Sequence, residues 1–450
     1  MRKTIIALAA ALVCALAAHA GSEAEYNSIL SSITGAEKGK WKTVNLKSFG
    51  AKGDGRTDCK PAFDKAMAKA KKNGGAHIVL SAGTYLVNGP INLTSNVWIE
   101  LKDGATIKFG ENPDFYPVVE TSWEGTFVRN YSPFIRGYKV KNVSITGDGT
   151  IDGNAGNTFS TWRKLQDPDK MVSREQNHNG TPYENRVFGK GHYLRPQLMQ
   201  FFESEKINIE GVKITNSPFW CIHLLCSENI ICRGLKYDAK LVNNDGIDPE
   251  YSRNILIENI YFNNGDDNVA IKSGRDNDGW KTARPTENII IRNCKLKGLH
   301  GVVIGSEMSA GVRNVYVKDC KATEYCKRGL YLKSNADRGG FIKNINFENV
   351  EFDEVEDLIY ITTKYANEGS GSTNYTEISD IHVNGVKCKK VRNSAIVMQG
   401  VAEKPIHDVT LENINVDEAK TGLSINNTKN VVVNNCNIGG NISGAPSQAK

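Results

Sequence analysis

Downstream of Ala20, the 450-residue sequence has no apolar run long enough to cross a membrane. A membrane-spanning helix needs about 20 consecutive apolar residues, so the sequence predicts a protein with no membrane partner. It also lacks a cluster of lysine and arginine with interleaved aromatic residues. That absence argues against nucleic acid as a partner.

The expected mature chain has an odd number of cysteines, which does not allow complete disulfide pairing. The sequence has ten cysteines, of which only Cys14 precedes Gly21. The odd number that follows cannot pair fully within one chain. Cys294, Cys320 and Cys436 each come after Asn or Asp in a similar local pattern. This pattern favours small buried residues at equivalent places over disulfide bonds.

The amino-terminal segment Met1–Ala20 has the features of a secretory signal peptide. Arg2 and Lys3 precede an apolar stretch, Ile5–Ala17, and Ala18-His19-Ala20 resembles a cleavage site. The expected mature chain, residues 21–450, is therefore secreted or periplasmic. Its formal net charge falls from +6 to +4 when the two basic residues are lost. This mildly basic balance is compatible with an anionic polymer but is not specific for one.

Short β-branched segments dominate the mature chain, with three exceptions. An amphipathic helix is predicted between a cap at Thr57-Asp58 and Gly74-Gly75, and its apolar stripe is expected to cover the end of a β structure. Residues 154–195 are predicted as a long loop insertion, either a wall of a binding cleft or a plain surface insertion. The Gly/Ser-rich tail, residues 439–450, is predicted to be loose.

A repeat organises the sequence from Lys206 onward. Each unit opens with Asn or Asp followed by β-branched residues with a period of two, and the units recur at spacings of roughly 22 to 36 residues. The units contain no amphipathic helix, which excludes leucine-rich repeats, and propeller blades need about twice the base period. The sequence therefore predicts an all-β fold, a single right-handed parallel β-helix with an amino-terminal capping α-helix. The opening residues are Asn229, Asn254, Asn288, Asn314, Asn344, Asp380, Asp408 and Asn430.

Acidic clusters and a histidine fall in successive repeat units, at Asn243-Asn244-Asp245, Asp266-Asp267 and Gly298-Leu299-His300-Gly301. Neighbouring coils of a β-helix stack about 4.8 Å apart, so equivalent positions form columns. Asp267, His300 and Arg328 lie at nearly equal offsets from the residues that open their units. They are predicted to form one column together with Asp245.

Crowded carboxylates of this kind are typical of glycoside hydrolysis. The inverting reaction needs one protonated carboxyl group and one ionised carboxylate that activates water, about 6.5–9.5 Å apart. Repulsion among the three aspartates raises the pKa of one of them, and His300 can fix the protonation of another. Each cluster alone also fits an ordinary turn or a structural histidine. Their recurrence at matching offsets favours the catalytic interpretation.

These motifs resemble the Asn-Thr-Asp, Asp-Asp and Gly-His-Gly motifs of glycoside hydrolase family 28, the polygalacturonase family, with Leu299 inserted before the histidine. The resemblance implies an inverting hydrolase of galacturonic acid linkages in pectin that needs no metal or other cofactor. It implies that Asp266 is the general acid and that Asp245 and Asp267 activate water. His300 is the fourth implied catalytic residue.

The substrate clamp of the family departs from its usual form in this sequence. Its Arg-x-Lys motif aligns with Tyr331-Leu332-Lys333, so the arginine is missing. Lys333 keeps one charge for a uronate carboxylate, and Arg328 is hypothesised to replace the missing guanidinium. Arg275, Tyr331 and Asn243 complete the predicted substrate contacts.

Several functions stay open at this point. Inserts at residues 154–195 and 275–286 can close one end of a groove, which suits an exo-acting enzyme, and rhamnogalacturonan fragments are an alternative substrate. A pectate lyase would need a calcium site, and His300 in the column argues against such an all-oxygen cage. A non-catalytic polysaccharide-binding β-helix is the remaining alternative. The expected partner is a pectic polysaccharide or an oligogalacturonide, and the protein is expected to be a monomer.

Overall fold

Parallel strands wind through the chain in successive coils, so that each strand pairs with strands one coil earlier and one coil later. The computed structural model describes residues 23–365, 372–443 and 448–449. The predicted signal peptide lies outside these residues. Within the described ranges, no helix is both long and apolar enough to cross a membrane.

The longest sheet has fourteen strands in the described part of the chain. Consecutive strands pair in parallel along its whole length, for example Arg253–Glu258 with Thr286–Arg292. Its strands are Thr43–Asn45, Ala76–Leu80, Val97–Leu101, Lys141–Gly147, Glu205–Glu210, Glu228–Arg233, Arg253–Glu258, Thr286–Arg292, Val312–Lys318, Phe341–Glu348, Glu377–Asn384, Ile406–Glu412, Thr428–Asn434 and Gln448–Ala449.

A second parallel sheet, of twelve strands among the residues described, carries most of the predicted site residues. Its strands are Ile91–Asn92, Ile135–Tyr138, Met199–Phe202, Ile222–Leu225, Ile247–Glu250, Asp267–Ile271, Gly298–Ile304, Lys321–Lys333, Glu351–Thr362, Lys387–Gln399, Asn415–Asn426 and Asn441–Ser443.

Two smaller sheets complete the β structure. A six-stranded sheet closes the early coils, and a three-stranded sheet stands outside them with one antiparallel pair, Val118–Trp123 against Thr126–Tyr131. The strands of the first are Asp54–Asp58, Gly83–Val87, Ala105–Phe109, Thr150–Asp152, Lys213–Thr215 and Lys236–Asp238, and the third strand of the second is Val187–Phe188.

Helices occur at the amino-terminal end and in the inserts. The α-helices are residues 23–32 (α1), Lys60–Lys72 (α2), Thr158–Thr161 (α3), Asp167–His178 (α4) and Asp276–Thr282 (α5). The 3₁₀ helices are Leu46–Phe49, Pro113–Phe115, Trp162–Lys164 and Tyr183–Asn185.

The interior of the coils is a single apolar core built from alternate residues of each strand. Helix α2 closes its amino-terminal end with a buried stripe, as its sequence predicts. The helix begins at Lys60 rather than at Thr57-Asp58, and the Asp58 carboxylate accepts a hydrogen bond from the Lys60 amide at 2.9 Å. The buried stripe consists of Ala62, Phe63, Ala66, Met67 and Ala70. The predicted parallel β-helix with its amino-terminal capping helix is thereby confirmed.

One other prediction needs correction. Residues 154–195 are not a loop insertion, because they contain α3, α4 and two 3₁₀ helices. Pro168 in the first turn of α4 and the acidic Asp167 and Asp169 there favour helix formation. The tail predicted as loose lies partly outside the described residues; within it, the described strands Asn441–Ser443 and Gln448–Ala449 pair with preceding coils.

The opening residue of each repeat unit adopts a left-handed backbone conformation. Asn254, Asn288 and Asn314 have φ angles of 57°, 59° and 57°. Their side chains form a ladder across the coils: Asn288 Nδ2 donates to Asn254 Oδ1 at 2.9 Å, and Asn314 Nδ2 donates to Asn288 Oδ1 at 3.0 Å. Asn tolerates this conformation better than other residues with a Cβ atom, which explains why Asn or Asp opens each unit.

Asn288→Ala is expected to lower the free energy of unfolding more than Asn288→Gly does. Both substitutions remove the ladder hydrogen bonds, but only alanine adds the cost of a left-handed Cβ-bearing residue, about 1–2 kcal/mol. Denaturant unfolding of the two variants measures the difference. Equal losses would show that the side-chain ladder, and not the backbone conformation, determines the choice of asparagine.

Candidate active site

The predicted column of site residues forms across neighbouring coils. Asp267 pairs with His300, and His300 pairs with Arg328 in the next coil. Asp245 lies just before the strand Ile247–Glu250, and the amide of the next residue, Gly246, donates to the Asp267 carbonyl at 2.9 Å. The offsets in the sequence therefore correspond to true neighbours in space.

Asp266 and Asp267 present two carboxylates side by side because a strand begins between them. Asp267 is the first residue of its strand and Asp266 the last residue before it. The Asp267 amide donates to Asp266 Oδ1 at 3.1 Å, and Asn243 Nδ2 donates to Asp266 Oδ2 at 3.2 Å. A side chain at Gly265 would collide with the Leu241 carbonyl, so glycine is required before the pair.

Asp267 is buried and contacts one ammonium group and one imidazole ring. His300 Nδ1 lies 2.5 Å from Asp267 Oδ1, and Lys333 Nζ donates to Asp267 Oδ2 at 3.4 Å. Burial alone would raise the pKa of Asp267, but Lys333 and His300 outweigh it and hold that pKa well below its usual range. Asp267 is therefore ionised near neutral pH.

The pKa of Asp266 is shifted in the opposite direction from that of Asp267. Burial, followed by repulsion from Asp267, raises the pKa of Asp266 to about 7. Lys333 and Lys272 lower it only in part. Two adjacent carboxyl groups thus differ in protonation near neutral pH, which is the pairing that an acid and a base need.

A fourth carboxylate, Asp248, lies next to Asp245 and has no role predicted from the sequence. Burial, together with repulsion between neighbouring carboxylates, raises the pKa of Asp245, and burial raises that of Asp248. Lys272 opposes this effect, with its Nζ 3.9 Å from Asp248 and 3.2 Å from Glu307. Lys272 thus lies between the carboxylates of Asp248 and Glu307.

Three of these aspartates line a strongly polar pocket together with Lys272 and Lys333. Its remaining walls come from the turn at Glu124, from Trp220 and Tyr365, and from the helical insertion. The insertion contributes three cations. The lining residues are Glu124, Arg163, Gln166, Lys170, Arg174, Trp220, Asn243, Asp245, Asp266, Asp267, Lys272, Ser306, Glu307, Lys333 and Tyr365.

Sequence reasoning misses the insertion residues because the segment reads as a loop. Gln166, Lys170 and Arg174 are spaced four apart in the chain, and that spacing places them on one face of a helix. This signal is visible in the sequence. Glu307 gives no such signal, since its place in the pocket depends on its partners Lys272 and Arg275.

The predicted substrate contacts occupy different places. Asn243 and Lys333 line the pocket. Tyr331 packs edge-on against His300, with ring centroids 5.3 Å apart. Arg328 lies one coil further on, outside the pocket, where its guanidinium lies over Tyr331 and Tyr360 and pairs with Asp357 at 3.3 Å.

Arg275 is not positioned to contact a substrate. Its side chain is 1% exposed, and it donates to Glu307 Oε1 at 2.7 Å and to the Glu124 carbonyl at 3.0 Å. The sequence shows the charge but not this burial. Arg275 instead supports Glu307 and Glu124 from behind the pocket wall.

Among the described residues, Asp266, Asp267 and His300 also form a group that could hold a metal ion. One ligand atom from each lies within 4.8 Å of the others. However, Asp267 already engages His300 through one oxygen and Lys333 through the other. A cation here would compete with the Lys333 ammonium group, so the donor set fits proton transfer better than metal binding.

A parallel β-helix with paired aspartates in a charged cleft fits a hydrolase of glycosidic bonds, and comparison with known proteins identifies the class. The sequence profile described as Glycosyl hydrolases family 28 matches residues 76–436. The chain belongs to this family and is a glycoside hydrolase.

Individual relatives agree with this assignment. The crystal structure of an exopolygalacturonase from Thermotoga maritima is similar over 92% of this chain and 96% of that one, with 36% identity and a TM-score of 0.84. An endo-polygalacturonase from Pectobacterium carotovorum subsp. carotovorum is 30% identical over 77% of this chain and 82% of its own length. A probable polygalacturonase from Vitis vinifera is 28% identical over 83% of this chain and 74% of its own.

Asp266→Asn is expected to stabilise the protein at pH 7, by on the order of 1–3 kcal/mol. The raised pKa means that folding disfavours ionisation of Asp266, so its contribution to stability is lost as pH rises from about 4 to about 7. The advantage of the variant should grow over that range and level off above it. Thermal melting at several pH values measures this.

Asp267→Asn is the matched control, at the adjacent position. Its depressed pKa means that ionised Asp267 stabilises the fold, so this variant should lose stability at pH 7. If both variants shift the melting temperature in the same direction, the opposite charge states assigned to the pair are wrong.

Proposed function

We propose that this protein hydrolyses galacturonic acid linkages of pectin with inversion, as a polygalacturonase. Asp266 is the general acid, and Asp245 with Asp267 activates water. The opposite protonation of Asp266 and Asp267 in one polar pocket carries this proposal. The names of the family relatives, which are polygalacturonases, support the choice of substrate.

The charges in the pocket support a two-carboxylate reaction. Protonated Asp266 gives its proton to the glycosidic oxygen as the bond to the anomeric carbon breaks. A water on the opposite face forms the new bond, and its proton passes to the Asp245–Asp267 pair. His300 and Lys333 keep Asp267 ionised for that step, while Lys272 favours the ionised form of Asp245.

The cations of the pocket support a uronate substrate. Lys333 remains from the family clamp, and Arg163, Lys170 and Arg174 add positive charge from the insertion. Arg163 and Lys170 both pair with Asp167. Two cations therefore share one carboxylate there, which leaves an excess positive charge for the carboxylate of a sugar.

The helical insertion supports exo-action. It contacts the second predicted insert, where Asn177 donates to the Arg275 carbonyl at 3.0 Å and Arg186 pairs with Asp278 at 2.6 Å. We infer that a wall braced in this way closes one end of the cleft, so that a chain end and not the chain middle fits beside Asp266. We also propose that the enzyme is secreted or periplasmic, on the basis of the signal sequence.

Product analysis on homogalacturonan tests the proposal. We expect galacturonic acid monomer from the first minutes, with new reducing ends and no ultraviolet-absorbing unsaturated product. A ladder of oligomers would contradict exo-action, and an unsaturated product that disappears with a chelator would identify a lyase. Cleavage of rhamnogalacturonan oligosaccharides at a higher rate than homogalacturonan would contradict the proposed galacturonic acid linkage as the bond that is hydrolysed.

Asp266→Asn is expected to lower kcat by a factor of about 100 or more, because it removes the proton donor without changing shape. In the unmodified enzyme, kcat/KM should fall as pH rises through about 7, where Asp266 loses its proton. A variant that binds and turns over substrate normally would exclude Asp266 as the acid.

Arg328→Ala is expected to raise KM for oligogalacturonides about tenfold with little change in kcat. Arg328 lies one coil beyond the reacting carboxylates and is 17% exposed between two tyrosine rings, so its charge can attract a uronate without touching the reacting bond. Arg392→Ala, another arginine over a tyrosine ring but more exposed, serves as the control. Unchanged KM in the Arg328 variant would refute its replacement of the clamp arginine.

A further inference from the structure

Arg195 is a buried cation surrounded by neutral oxygen atoms. Its side chain is 1% exposed. It donates to Gln166 Oε1 at 2.9 Å, to the carbonyls of Val242 and Pro218 at 2.8 and 3.2 Å, and to Asn243 Oδ1 at 2.6 Å. Burying a charge without a carboxylate partner costs free energy. The position of this guanidinium therefore needs an explanation.

The hydrogen bond to Asn243 determines how that side chain is oriented. Arginine can only donate hydrogen bonds, so the Asn243 amide must turn its oxygen toward Arg195. Its nitrogen then faces the opposite way and donates to Asp266 Oδ2 at 3.2 Å. The amide cannot be exchanged end for end without placing an N–H group against the guanidinium.

We propose that Arg195 is a positioning residue that fixes the Asn243 amide so that its N–H group, and never its carbonyl, faces Asp266. This inference rests on the proposed role of Asp266 as the general acid. Asn243, expected from the sequence to contact substrate, thereby acts on the acid itself.

The orientation matters because the two ends of an amide have opposite effects on a carboxyl group. A carbonyl oxygen would accept the proton of Asp266 and hold it away from the sugar. The N–H group cannot accept that proton, and it favours the ionised form that remains after the proton has been transferred. Arg195 thus makes the acid easier to deprotonate in the reaction.

The same arginine connects the acid to the closed end of the pocket. Gln166, which precedes α4, is both a partner of Arg195 and a lining residue. The helical insertion therefore contributes to orienting Asp266 as well as to the wall of the pocket.

The pH dependence of kcat/KM for Arg195→Met, Asn243→Ala and the double variant tests this inference. Each single variant should move the alkaline limb of the kcat/KM profile to higher pH by about half a unit or more. Asn243→Ala removes the N–H donor to Asp266, and Arg195→Met leaves that donor free to rotate away. We expect kcat to fall about tenfold and KM to change less than threefold. The titratable groups near Asp266 that remain in every variant are Asp245, Asp248, Asp267, Lys272, His300 and Lys333.

The double variant separates orientation from simple charge. If Arg195 acts through Asn243, Arg195→Met should shift the limb much less in the Asn243→Ala background than alone. An equal shift in both backgrounds would mean that Arg195 acts only through its electric field, and would overturn the inference. If Arg195→Met fails to fold, the Asn243→Ala variant alone tests the inference. An alkaline limb that does not move in Asn243→Ala would overturn the inference.

Arg186→Met is the matched control. Arg186 belongs to the same insertion, is 2% exposed and pairs with Asp278, and neither residue lines the pocket. The Arg186→Met variant should have a lower melting temperature and an unchanged alkaline limb of the kcat/KM profile. If Asp266→Asn stays active, the proposed function fails; if it is inactive while Arg195→Met keeps the original limb, only the inference fails.

Discussion

The site depends on ion pairing between side chains that belong to different coils. Asp267 is held ionised by His300 from the next coil and by Lys333 from the coil after that. Parallel pairing fixes the spacing of these coils at about 4.8 Å, so the charges cannot move apart. Burial and the negative charge of Asp267 together raise the pKa of its neighbour Asp266, so the different protonation of the two carboxyl groups follows from the fold.

This arrangement reduces stability where it supports function. Four aspartates share one buried region, and Lys272 and Lys333 compensate only part of their repulsion. The apolar core behind the site provides the stability that the carboxylates reduce. A reactive site with unfavourable charges needs such a rigid support, since a flexible one would relax and let the pKa values converge.

The column of site residues was predictable from sequence because a solenoid converts equal offsets into neighbours. The units open at left-handed Asn or Asp residues, and the offsets of Asp267, His300 and Arg328 matched their registers. The pocket walls were not predictable in the same way. Arg275 carries a charge that its sequence context does not reveal as buried, and α4 was hidden in a segment with many turn-forming residues. Residues of the pocket walls are positioned by partners that are far away in the sequence, and not by the repeat.

The insertion connects the repeating coils with the pocket walls, which do not follow the repeat. The coils supply the aspartates of the pocket, whereas α4 and its neighbours add cationic lining residues. The insertion meets the coils at Arg195, whose hydrogen bonds join Gln166 to Asn243. A segment that only blocked the cleft would need no such buried cation. The contact of the insertion with Asn243, the hydrogen-bond partner of Asp266, fits the proposal that one segment both restricts the substrate and orients the acid.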